Sequence, residues 1–298
     1  MKLFNYKTII TILLILFISF YTVSKIFLTN RIHTLNEINK TEEPLINSEI
    51  TSENIKYIKP DEAFENILDS GYLKQFTQKD MEVRKCDTYE KCKYMYKNNL
   101  IEFTPDNKDE LERLIKLCNE KTKNFKGLYN ITWKLCKTTT KLEEGMPHTH
   151  TDIIFLSDSF FRKNNDNSKI VTLIHEKIHL FQRIYKKRTQ DLYEKFNFSK
   201  VPKKKINLRR TNPDLDSFDY NYNGVLIYSE YKDNAKTLSD VDTKFISVET
   251  KNNKDIREIE QIAKNGYQNE HPNEIFASII SDKIVNGELT DVITNYLN

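Results

Sequence analysis

Between Ser168 and Lys187 the chain sets Val171, Ile174, Ile178 and Phe181 at intervals of three, four and three residues. Only an α-helix brings that spacing onto one face, and neither Pro nor Gly interrupts the segment. A long helix with one buried stripe needs a layer to pack against. The apolar, β-branched run at 151–157 and the segment at 131–139 are short enough to be strands, as are 224–231 and 243–250. Shorter helices are expected from Pro60 to Gly71, from Asn107 to about Lys123 with Asp106 as cap, from His271–Glu274 onward, and over 288–297. Residues 200–223, with Pro202, Pro213 and aromatic residues without period, read as irregular. Strands first, then a long helix, then further helices: the order predicts an α+β domain in which a small mixed sheet packs on the long helix.

Ahead of this domain, Thr8–Ser24 carries no charge, with Lys2, Lys7, Lys25 and Arg31 around it. About 17–20 apolar residues can just span a bilayer, whereas the apolar part of a cleaved signal is usually about 7–15. Residues 1–24 are therefore expected to be an N-terminal transmembrane anchor, with a cleaved signal as the alternative. Residues 25–57 read as a polar stalk and 58–298 as the exported domain, either membrane-held or secreted. Four cysteines, Cys86, Cys92, Cys118 and Cys136, all lie beyond the apolar run without C-x-x-C spacing, which suggests two disulfides. Asn39, Asn130 and Asn197 head glycosylation sequons. With 46 basic against 43 acidic residues, the net charge of +3 gives no sign of a nucleic-acid binder.

The long helix carries the chemistry. It contains His175-Glu176-Lys177-Ile178-His179, and residues four apart stand one above the other, so both imidazoles can reach one ion while Glu176 lies beside it. Zinc held by two His and a third protein ligand lowers the pKa of a water in its open position, and a neighbouring carboxylate takes the proton. His148 and His150, two apart on a strand, share a face and could bind substrate or a second metal; exposed polar residues at a strand start are the plainer reading. Tyr228, Tyr231 and His271 are candidates to steady an oxyanion or to support the ligands. The basic residues Lys203, Lys204, Lys205, Arg209 and Arg210 form either a solvated loop or a receptor for acidic groups.

In these residues the chain resembles the zincin metallopeptidases over about 148–284. The long continuation that carries a third His in metzincins is missing, whereas Asn273-Glu274 resembles the Asn-Glu of gluzincins, whose Glu is the third zinc ligand. The acid that those proteins carry four residues later is Ser278 here, with Asp282 nearby. The resemblance implies a zincin-like fold, Zn2+ on His175, His179 and Glu274, Glu176 as general base, and a peptide or protein substrate. It also implies that the substrate lies along the edge strand within 148–157, touching Ile153 and Phe155. Glu230 and His271 compete with Glu274 for the third ligand position. The rival functions are a zincin-like surface module that no longer cleaves, and a zinc hydrolase of a non-peptide amide.

Overall fold

The computed structural model of the chain describes residues 55–247 and 270–298. The expected anchor, most of the stalk and Asn39 lie outside the described residues. Among those described, no helix is long and apolar enough to cross a membrane.

The first sheet is mixed. Strand β1 (Ile55–Tyr57) runs parallel to β3 (Trp133–Thr138), whose far end also pairs antiparallel with the short β2 (Leu100–Ile101). On the other side of β3 lies β5 (Ile153–Ser157), parallel to it, and beyond β5 the antiparallel edge strand β4 (His148–His150). The last residues of the expected stalk, 55–57, thus belong to the sheet, because their backbone completes β3.

Helices cover both faces. They are α1 (Pro60–Asp69), α2 (Gln78–Val83), α3 (Tyr89–Asn99), α4 (Pro105–Thr122), α5 (Lys126–Tyr129), α6 (Asp158–Phe161), α7 (Asp166–Ile184), α8 (Lys186–Lys195), α9 (Pro272–Asn286) and α10 (Asp291–Leu297). Successive side chains of a strand point to opposite faces. Leu135, Ile154 and Leu156 therefore join Leu114, Leu173, Ile174, Ile178 and Ile280 from α4, α7 and α9 in the main core. Cys136, Ile153 and Phe155 face the other way, onto Ala63, Ile67 and Tyr96 from α1 and α3. A second, antiparallel sheet follows in the order β6 (Phe198–Pro202), β7 (Phe218–Tyr222), β8 (Val225–Tyr231), β9 (Val241–Ser247). The molecule is α+β, as its sequence implies, but the stretch read as irregular opens and closes with β6 and β7. Their register, Phe198 opposite Tyr222 through Pro202 opposite Phe218, is fixed by pairing across a long loop and leaves no local trace.

The helix ends follow local chemistry. Asn165 caps α7 by accepting the Ser168 N–H at 3.2 Å, and the helix stops at Ile184. Helix α4 is capped by Thr104, not Asp106, because Pro105 takes the first helical position, where a missing N–H costs nothing. Helix α9 begins at Pro272 after His271, whose ring accepts the Asn273 N–H, and ends at Gly287 with φ +74°. One disulfide forms, Cys86–Cys92. The two expected bridges reduce to one, since Cys118 lies in the main core and Cys136 on the opposite face of the first sheet.

Candidate metal centre

Helix α7 lies with His175 and Glu176 toward a cleft of about 300 Å³, and His179 buried just beneath them. Val171, expected in the buried stripe, lines this cleft instead; Leu173 takes its place in the core. Helix α9 packs against α7 and brings Glu274, from its first turn, to the same point. The Nε2 atoms of His175 and His179 are 3.0 Å apart, and Glu274 Oε2 lies 3.3 Å from the first and 3.6 Å from the second. Ligands about 2.0–2.1 Å from a tetrahedral zinc sit about 3.3–3.4 Å from one another, so the three atoms have the spacing of three corners around such an ion. Among the described residues this is the one group of three or more His, Cys, Asp or Glu with ligand atoms close enough to hold a metal.

Two of the three, His179 and Glu274, are oriented from behind. The His179 Nδ1 is 2.9 Å from Gln182 Oε1, and Gln182 Nε2 donates to the Asn273 carbonyl at 2.9 Å. The amide is thereby fixed with its oxygen toward the ring, so that Nδ1 donates to it and Nε2 is the nitrogen turned to His175 and Glu274. Asn212 Nδ2 donates to Glu274 Oε1 at 2.9 Å and to Glu270 Oε1 at 2.7 Å, turning Oε2 to the two imidazoles. Asn273 is itself held, accepting from Tyr193 Oη at 2.8 Å and donating to the Asp214 carbonyl at 3.0 Å.

The electrostatics separate the two glutamates. Burial pushes the Glu176 carboxyl well above its ordinary range, and the nearby Asp214 carboxylate pushes it further. Burial acts on Glu274 in the same direction, yet the His179 and His175 rings hold it well below that range. Two carboxyls driven apart in this way suit two roles: a fixed anion for a cation, and a group that takes and returns a proton. Glu176 Oε2 and Glu274 Oε2 are both buried without a hydrogen-bond partner among the described residues.

The other expected site residues sit elsewhere. Ile153 and Phe155 belong to β5, an interior strand, and their side chains fill the core under α1. Tyr231 points into a buried cluster, donating to Asp80 Oδ1 at 3.0 Å and accepting from Arg84 Nη1 at 3.1 Å. Tyr228 lies under the Arg209 guanidinium, and His271 has Nε2 3.5 Å from Asp216 Oδ1. None of these five lines the cleft. Glu230 is on β8, in register with Asp242. His148 and His150 are buried, not exposed; His148 stacks on Phe155, donates from Nδ1 to the Met146 carbonyl at 2.9 Å, and lines the cleft.

Arg183, Asn212 and Asp214 gave no sequence signal. Arg183, one turn after His179, donates to the carbonyls of Thr149, Thr151 and Pro213. Asp214 Oδ1 accepts the Thr149 N–H and hydroxyl, each at 2.7 Å. Compared with family models, with curated proteins and with solved structures, the chain matches none of them.

Proposed function

We propose that the chain is a zinc-dependent peptidase of gluzincin type, in which His175, His179 and Glu274 hold the metal and Glu176 is the general base. The observation that carries this reading is the spacing of the three ligand atoms, with Glu176 one residue from a ligand and its free oxygen in the same cleft. Zinc, when bound, lowers the pKa of a water in its open position and polarises the carbonyl under attack. Glu176 takes the proton from the attacking water and passes it to the leaving amine; burial has raised its proton affinity toward the range that general catalysis needs. Gln182 and Asn212 keep His179 and Glu274 aimed throughout. The Cys86–Cys92 bridge favours an oxidising compartment, in keeping with an exported, membrane-anchored or secreted domain.

Glu176→Gln is expected to keep about one zinc per chain by metal analysis while losing nearly all hydrolysis, because a base and not a ligand is removed. Glu274→Ala is expected to lose metal and activity together, while Glu230→Ala and His271→Ala keep most of the zinc. A fully active Glu176→Gln protein would sink the mechanism. Zinc that stays with Glu274→Ala and leaves with His271→Ala would make the site a three-histidine one. A chain that retains zinc but cleaves neither peptides nor simple amides would be a binding module instead.

A further inference from the structure

The edge strand that should receive an extended substrate is already occupied on its outer side. In a strand, the N–H and C=O of one residue point to one side and those of its neighbours to the other. Thr149 turns both outward from β5, its N–H to Asp214 Oδ1 and its carbonyl to Arg183. Beyond the two ends of the strand, Pro147 has no N–H to offer, and the Thr151 carbonyl accepts from Arg183 at 3.3 Å. A substrate backbone adding to β4 therefore stops short of Thr149. The stop is built by residues 210–214, which line the cleft. Thr211 is anchored by Asp80 and Arg84, Asn212 by Glu270 and Glu274, and Asp214 by Thr149, while Asn273 holds the Asp214 carbonyl.

The charge at this closed end decides what can finish there. Asp214 is buried and lines the cleft; its Oδ1 accepts twice from Thr149 and faces Arg183 at 3.9 Å, while Oδ2 accepts no hydrogen bond among the described residues. The cations of the cleft are spent elsewhere. Arg84 donates to Asp80, Glu143, Tyr72, Tyr231 and the Thr211 carbonyl, and Arg210 to Glu270 and the Leu238 carbonyl. Arg183 gives its hydrogen bonds to the three carbonyls and to the Thr149 hydroxyl, and its guanidinium stands 3.9 Å from Asp214 Oδ1 without reaching Oδ2 by a hydrogen bond. A carboxylate held on its Oδ1 side by Thr149 and Arg183 keeps Oδ2 as the acceptor left beside Glu176, which favours a cationic donor over an anion.

We propose that the cleft takes substrates by a free amino terminus, the α-ammonium binding Asp214 Oδ2, so that hydrolysis removes residues from the chain's N-terminal end. This rests on the hydrolase reading above. The reaction adds water across the first peptide bond, releasing one amino acid and a chain shorter by that residue.

The test is binding of leucine hydroxamate and of N-acetyl-leucine hydroxamate to the zinc-supplemented full chain, followed by calorimetry. The free amine is expected to bind at least about tenfold tighter, the effect of one charge-assisted hydrogen bond in a partly desolvated site. In Asp214→Asn, which keeps an acceptor for Thr149, the ratio of the two affinities is expected to fall to about one, because any effect passed on through Glu176 acts on both compounds alike. Equal binding of the two compounds by the unaltered chain, or a parallel loss of both in Asp214→Asn, would overturn the proposal. So would failure of both to bind a chain shown to carry one zinc. A chain that takes up no zinc would instead overturn the hydrolase reading, and the proposal with it.

Discussion

Lys177 follows Glu176 on α7 but belongs to the opposite environment. It is fully buried, with Nζ 3.2 Å from the Tyr129 carbonyl and 4.3 Å from the Trp133 ring centre. Burial pushes its amine down to about 7 from an ordinary 10.5. A base with a depressed folded pKa costs stability in full below about pH 7, and the cost fades as pH rises to the unfolded value. Three to four units correspond to on the order of 5 kcal/mol, partly offset by the contacts of the stem. Lys177→Met is therefore expected to raise the urea midpoint at pH 6 and to lose most of that gain by pH 10; an equal gain at both would mean that charge is not the cause. Burial also pushes the thiols of Cys118 and Cys136 up to about 12, where they are protonated and inert. Alkylation without reductant should count no thiol in the folded protein and two after denaturation. Four, or none, would contradict the single bridge.

At the scale of elements, α7 and α9 could be read from sequence because their signals are local: apolar spacing, a Pro at the first turn, a Gly at the end. With them came His175, Glu176, His179 and Glu274. What escaped is held by contacts distant in sequence. Helix α3 is largely polar and buries only Cys92 and Tyr96, so it shows almost no stripe. Strands β6 and β7 exist through each other, and Asp214 reaches Thr149 across 65 residues. Gln182 was within reach, being three residues from His179 on the same helical face. Gln182→Leu should leave α7 intact but free the His179 ring, weakening zinc about 10- to 100-fold by competition with a chelating dye. Unchanged affinity would show that packing alone aims the imidazole.

For the whole molecule the joint is Arg84. From the end of α2 it reaches Asp80 at 2.8 Å, Glu143 at 2.9 Å, Tyr231 of the second sheet and the Thr211 carbonyl, with Tyr96 also donating to Glu143. One guanidinium thus ties the α1–α3 side of the first sheet to the second sheet and to the cleft wall. Replacing a buried ion pair whole can be neutral, but removing one partner leaves charge uncompensated and costs about 3–5 kcal/mol. Arg84→Met strands Asp80 and Glu143 together and is expected to fall in or above that range by urea unfolding at pH 7. Burial raises the Glu143 carboxyl, yet Arg84 overrides it and holds the group below its ordinary 4.5. A carboxyl with a depressed folded pKa contributes stability that is full above about pH 4.5 and is lost as pH falls through the folded value. Without Arg84 the burial effect is left unopposed, so Glu143 in the variant takes up its proton at higher pH and the stranded charge disappears. The gap between Arg84→Met and the unaltered chain should therefore narrow from pH 7 to pH 4. A gap independent of pH would mean that the guanidinium acts through packing and not through charge.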